Sequence, residues 1–107
     1  MDISILNSYI SIPINMYLEI VSPEATLFAG EVTSVTVPGI NGEFQMLQNH
    51  APIVSLLQEG KVKVKGDLTI DEAFQDRFSK GNDGETVLPI TSGTVEMKDN
   101  KVIVLAD

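Results

Sequence analysis

No cysteine occurs in this chain, and its absence removes disulfides, thiolate metal sites and thiol nucleophiles together. Tryptophan is missing as well, and the two tyrosines, Tyr9 and Tyr17, are too few to line an aromatic ligand groove. His50 is the only histidine, so any imidazole chemistry would rest on it alone. Seven Lys and Arg stand against fifteen Asp and Glu, a net charge of -8. That balance argues against nucleic acid as a partner, because phosphate contacts require clustered cations. The one basic cluster, Lys61, Lys63 and Lys65, takes alternate positions and reads as the solvated side of a strand. No stretch approaches the roughly 18 apolar residues of a membrane-spanning helix. Residues 1–15 hold neither Lys nor Arg, so neither a secretory signal nor a transit peptide is read there. They are expected to be a disordered extension, since Asn7-Ser8 and Pro13 interrupt any regular pattern.

What remains is mostly strand. A chain of 107 residues suffices for one domain with one core. Leu18 and Ile20 alternate with Glu19 before Ser22-Pro23-Glu24 breaks the run. Val35 and Val37 alternate with Ser34 and Thr36 up to Pro38-Gly39. Phe44 and Met46, then Val62 and Val64, then Val95 and Met97 repeat the pattern. Val102-Ile103-Val104-Leu105 is apolar on both sides, as expected of a strand covered on each face. Period-two patterning broken by frequent turn residues predicts a flattened antiparallel β-sandwich or barrel of about eight to ten short strands. One segment departs from it. Thr69-Ile70-Asp71-Glu72 reads as a capping box, and Ile70, Ala73, Phe74 and Phe78 follow at helical spacing. A short amphipathic helix over residues 70–80 is expected, ending at Gly81, with Asn82-Asp83-Gly84 as a turn.

Catalytic patterns are not found. There is no Gly-x-Ser-x-Gly nucleophile elbow, and Thr91-Ser92-Gly93 reads as a tight turn into a strand. One histidine with scattered carboxylates is a poor zinc set. Residues 80–85 lack the ligand alternation of a calcium loop. Gly39-Ile40-Asn41-Gly42 is followed by no Gly-Lys-Ser/Thr, so it is not a phosphate loop. Asp71 and Glu72 sit in a presumed first helical turn, where they favour the helix dipole. The residues by themselves therefore indicate an acidic, mostly β, non-enzymatic interaction domain, with no catalytic residue, metal or cofactor. A small cytosolic β-sandwich ligand- or protein-binding module is the alternative within that description.

Two stretches narrow this further. Residues 16–60 carry Val21-Ser22-Pro23-Glu24, Phe28-Ala29-Gly30, Val35-x-Val37-Pro38-Gly39-x-x-Gly42-Glu43-Phe44, His50-Ala51-Pro52 and Glu59-Gly60, in that order. Residues 92–107 end in Val102-Ile103-Val104-Leu105-Ala106-Asp107. Together, over roughly 60 of the 107 residues, they resemble the β-sandwich domain of the epsilon subunit of F-type ATP synthases, which would occupy residues 16–107. The resemblance implies a non-catalytic central-stalk protein that links the gamma subunit to the c ring, in a complex with alpha and beta subunits. It implies a peripheral place on the cytoplasmic face of the bacterial cell membrane, with the membrane met only through the complex. By position, His50, Ala51 and Pro52 would lie at the gamma contact, and Gly42 and Glu43 on a loop facing the c ring. The plain alternatives are a half-buried structural histidine and an ordinary loop carboxylate. The sequence departs from the family in three places. Asn49 stands where glycine is usual, Thr91-Ser92-Gly93 replaces a paired glycine after serine, and the 67–86 segment is longer than the usual hairpin. The family's helical hairpin would follow Asp107, so the resemblance implies coupling without that inhibitory arm.

Overall fold

The computed structural model describes residues 15–107, so the extension expected over 1–15 lies, Asn15 apart, outside the described residues. Ten strands follow: β1 (Met16–Val21), β2 (Thr26–Val32), β3 (Ser34–Gly39), β4 (Gly42–Met46), β5 (Ile53–Leu57), β6 (Gly60–Lys65), β7 (Ser79–Lys80), β8 (Thr86–Ile90), β9 (Gly93–Lys98) and β10 (Lys101–Ala106). They form one curled sheet in the order β2-β1-β10-β9-β5-β3-β6-β8-β7, with β4 on the other side of β3. β5 and β3 share only the pair Gly39–Leu57, so the sheet behaves as two leaves joined at one point. The inner sides of both leaves feed a single core that includes Leu18, Ile20, Val35, Val37, Met46, Val62, Val64, Leu88, Met97 and Val102. All of these but Leu88 and Val102 are residues that the period-two pattern places on one face of a strand.

Two expectations about strands need correcting. The ladder is antiparallel except for β1 and β10, which pair in parallel from Tyr17–Lys101 to Val21–Leu105. The two strands are separated by nearly the whole chain, which supplies the long connection a parallel pair requires. β10 is also not covered on both faces: Val102 and Val104 are buried, whereas Leu105 is 50% exposed. Two strands carry weak signals in the sequence. β5 is an almost unbroken apolar run, and β8 contains Pro89, which demotes a strand. Pro89 is tolerated because β7 pairs only with Thr86 and Val87, leaving that side of Pro89 without a neighbour.

The helix expected over residues 70–80 is shorter and tighter in the structure. In place of a helix over 70–80 there is a 3-10 helix at Glu72–Arg77, with Asp71 as its N-cap instead of Thr69. The Asp71 carboxylate accepts from the Ala73 N–H at 2.9 Å. Asp71 competes for the cap because a short carboxylate satisfies an orphan N–H within its own turn. The far end is set by the sheet: Phe78 is already extended, and Ser79 pairs with Val87 in the next step. Ile70, Phe74 and Phe78 pack against the core only as partly buried side chains. Phe74→Ala is therefore expected to cost about 1–2 kcal/mol, below the roughly 3–5 kcal/mol of a fully buried phenylalanine. Gln75→Ala should stay within about 0.5 kcal/mol. Urea unfolding of both variants checks the difference, and equal losses would contradict this register.

Candidate interaction surface

The segment from Leu47 to Pro52 connects β4 to β5. Its turn closes when the His50 N–H donates to the Leu47 carbonyl at 3.1 Å. Asn49 sits at φ 57°, a left-handed conformation that asparagine tolerates better than most residues. The turn therefore closes without a glycine at this position. The His50 Nδ1 lies 2.7 Å from the Ala51 carbonyl. A carbonyl only accepts, so Nδ1 must carry the proton, which leaves Nε2 free as an acceptor in the neutral ring. His50 is half-buried, while Ala51 and Pro52 are exposed. Proline then sets an extended path into β5.

The second predicted site lies at the opposite end of β5. Gly39 and Gly42 pair across a tight turn whose tip is Ile40-Asn41, and Gly42 has φ 125°, which a side chain would strain. The sequence suggests a loop presenting Glu43. In the structure Glu43 instead stands one residue past the turn, in β4 opposite Pro38. Its carboxylate lies 3.3 Å from the Lys63 ammonium, an exposed pair of small energetic worth. Ile40 is the side chain at the tip, 52% exposed. The Ile40 N–H donates to the Leu56 carbonyl and the Gln58 N–H to the Pro38 carbonyl, which tie this hairpin to the end of β5. The two predicted sites are thus separated by one strand, about 17 Å for five residues.

Between them is an apolar surface that residue patterns alone do not reveal. Val54 is 75% exposed and Leu56 59%, both on the outward side of β5. The register places Leu56 beside Thr94, Thr94 beside Leu105, and Leu105 beside Val21. The next row runs Val54, Glu96, Ile103, Glu19. A shallow depression of about 500 Å³ opens beside Ile40, Leu56, Thr94 and Leu105. Charge lies within this face as well as beside it: Glu96 sits between Val54 and Ile103. Glu19 and Lys101 pair at 3.4 Å, and the Lys101 ammonium lies 5.4 Å from the Tyr17 ring centroid. Exposed Val54, Leu56 and Leu105 on one sheet face, interspersed with Thr94 and Glu96, make this face the candidate protein-docking surface. Among the described residues, no group of three or more His, Asp or Glu is placed to hold a metal ion. Val54 and Leu56 could have been suspected only from the length of the apolar run Ile53-Val54-Ser55-Leu56-Leu57, which does not say which side faces outward.

Comparison with known proteins is consistent across sequence and fold. A family model described as the β-sandwich domain of the ATP synthase delta/epsilon chain matches residues 15–107. The ATP synthase epsilon chain of Chlorobaculum tepidum is 37% identical over 90 residues, covering 84% of this chain and 86% of that one. The epsilon chain of Campylobacter curvus is 34% identical over 92 residues, and the match spans 86% of this chain but 60% of that longer relative. In fold, the chain is similar to one in the cryo-EM structure of the Euglena gracilis mitochondrial ATP synthase OSCP/F1/c-ring. The TM-score is 0.68 at 19% identity, over 90% of this chain and 52% of that one. A chain in the central stalk/c-ring of the Tetrahymena thermophila mitochondrial ATP synthase gives 0.61 at 14% identity, over 85% and 62%.

Proposed function

This chain belongs to the ATP synthase delta/epsilon-chain β-sandwich family, and we propose that it is a non-catalytic central-stalk subunit linking gamma to the c ring. In this reading it couples proton transport to ATP synthesis carried out on other subunits. The observation that carries it is the exposed apolar strip of Val54, Leu56 and Leu105, continuous with Ala51 and Pro52 at the start of β5. A permanent partner such as gamma would cover that strip, because lasting interfaces bury apolar centres. His50 adds an acceptor at its edge. The Ile40–Glu43 hairpin, at the other end of β5, would meet the c ring. There Ile40 supplies contact area, and Glu43, already paired with Lys63, steers approach more than it holds.

Torque transfer asks for stiffness, not chemistry. A sandwich whose two predicted contacts are joined by one hydrogen-bonded strand supplies a short, rigid path between them. Residues 16–107 would act as one body, with the 67–86 insertion adding cover at the edge of the core. None of the described helices is long and apolar enough to cross a membrane. We place the protein at the cytoplasmic face of the bacterial membrane, held there through the complex. The test is capture of the tagged subunit from detergent-solubilised membranes. Recovery of gamma, alpha and beta subunits is expected, and an intact, soluble bait that recovers none of them would overturn the reading.

A further inference from the structure

Asn100 occupies the turn between β9 and β10, and its backbone is left-handed at φ 63°, as is that of Asp99 at φ 52°. Two consecutive positive φ values make a tight hairpin turn that asparagine and glycine both accept. The turn itself therefore does not need the Asn100 side chain. Both ends of that side chain are nevertheless engaged elsewhere. Its Oδ1 accepts from the Asn49 N–H at 2.8 Å. Its Nδ2 donates to the Asn15 carbonyl at 3.0 Å. Each partner has one possible role, a backbone N–H donating and a carbonyl accepting, so the orientation of the amide is fixed by the network. The Asn100 carbonyl also accepts from the Tyr17 N–H at 3.1 Å. One residue thus joins the hairpin, the start of β1 and the turn that precedes His50.

The turn has little else to hold it. Among the described residues its internal backbone bond is from His50 to Leu47, and the His50 Nδ1 is bonded to its own neighbour Ala51. Leu47 is 52% exposed, and Ala51 and Pro52 are exposed as well. The buried Gln48 Oε1 finds no donor among the described residues. Among the described residues, the Asn49–Asn100 bond ties residues 47–52 to a distant element.

We infer that Asn100 is the positioning residue of the docking loop: its carboxamide fixes the Asn49–His50 turn against the start of β1, and so holds Ala51 and Pro52 in the form that the partner meets. This rests on the proposed gamma contact and deepens it. A loop fixed beforehand loses less freedom on binding, so the advantage appears as affinity, chiefly as slower dissociation.

The test compares the full chain with Asn100→Gly and Asn100→Asp. Glycine keeps the turn and deletes both side-chain bonds. Aspartate keeps an acceptor for the Asn49 N–H but cannot donate to Asn15. Amide hydrogen exchange at Asn49, urea unfolding, and binding to purified gamma subunit are measured for each. Asn100→Gly is expected to keep the wild-type urea midpoint, to raise Asn49 exchange by roughly tenfold or more, and to weaken gamma binding by a similar factor. Asn100→Asp, which keeps the bond to Asn49 and loses the one to Asn15, is expected to retain Asn49 protection and to fall between the wild type and Asn100→Gly in affinity. Wild-type Asn49 exchange or wild-type gamma affinity in Asn100→Gly would overturn the inference. So would equal affinity losses in the two variants that track a fall in stability. Failure of the wild-type chain to bind gamma would instead overturn the functional reading, and the exchange data would still decide whether Asn100 holds the loop.

Discussion

Replacing Val54 and Leu56 together by lysine is expected to weaken gamma binding by at least about a hundredfold and to leave the fold in place. The two side chains are the most exposed aliphatics of the outer sheet face, so the free protein loses almost no packing when they change. The substitution is also compatible with the strand. Position 54 faces Glu96 and position 56 faces Thr94, so a new ammonium at either meets an opposite charge or a hydroxyl across the ladder. In the complex the same groups would be trapped against an apolar partner surface. At position 56, where no carboxylate lies opposite, desolvating the ammonium costs several kcal/mol, and about 3 kcal/mol already corresponds to a hundredfold. Titration calorimetry with purified gamma measures the loss, and circular dichroism with urea unfolding checks that the variant is folded. Undiminished affinity would place the interface elsewhere on the domain.

Leu18→Ala is expected to have the largest effect on stability, about 2–5 kcal/mol. Leu18 is fully buried in β1, between Gly30 of β2 and Val102 of β10. Its neighbours belong to continuous ladders that cannot close around the void, so both the transfer and the cavity contributions apply. Leu105→Ala removes the same atoms one strand away, from a side chain that is 50% exposed, and should cost no more than about 0.5 kcal/mol. Urea midpoints compare the two directly. A Leu105 effect as large as that of Leu18 would mean that β10 is covered on both faces after all.

The contrast between those leucines marks the boundary between what could be read along the chain and what could not. Alternation identified Leu18, Ile20, Val35, Val37, Val62 and Val64 as one-sided, and every one of them is buried. Strict alternation is informative because a strand shifted by one residue would turn all its apolar groups outward. The run at Val102–Leu105 lacks alternation, and a strand apolar on both sides is equally compatible with a second cover or with an exposed docking face. β5 has the same ambiguity. The short helix differs from its sequence pattern for a related reason: Ile70, Phe74 and Phe78 have helical spacing, but pairing of Ser79 and Lys80 with β8 limits the turn to Glu72–Arg77. Tertiary hydrogen bonding overrode a local preference worth only fractions of a kcal/mol per residue.

The sequence by itself determined the class of fold, the absence of thiol and clustered-cation chemistry, and the order of motifs that marks the epsilon-type sandwich. Turn chemistry at Gly42 and the inward valines are local matters, settled by backbone sterics and by the period of two. Only the tertiary structure decided that Val54, Leu56 and Leu105 share one outer face. The same is true of Ile40 at the hairpin tip in place of Glu43, and of the bond from Asn100 to a residue fifty-one positions away. Each of these depends on which strands become neighbours. Strand order is fixed by closure of the whole core, and no local period in the chain encodes it.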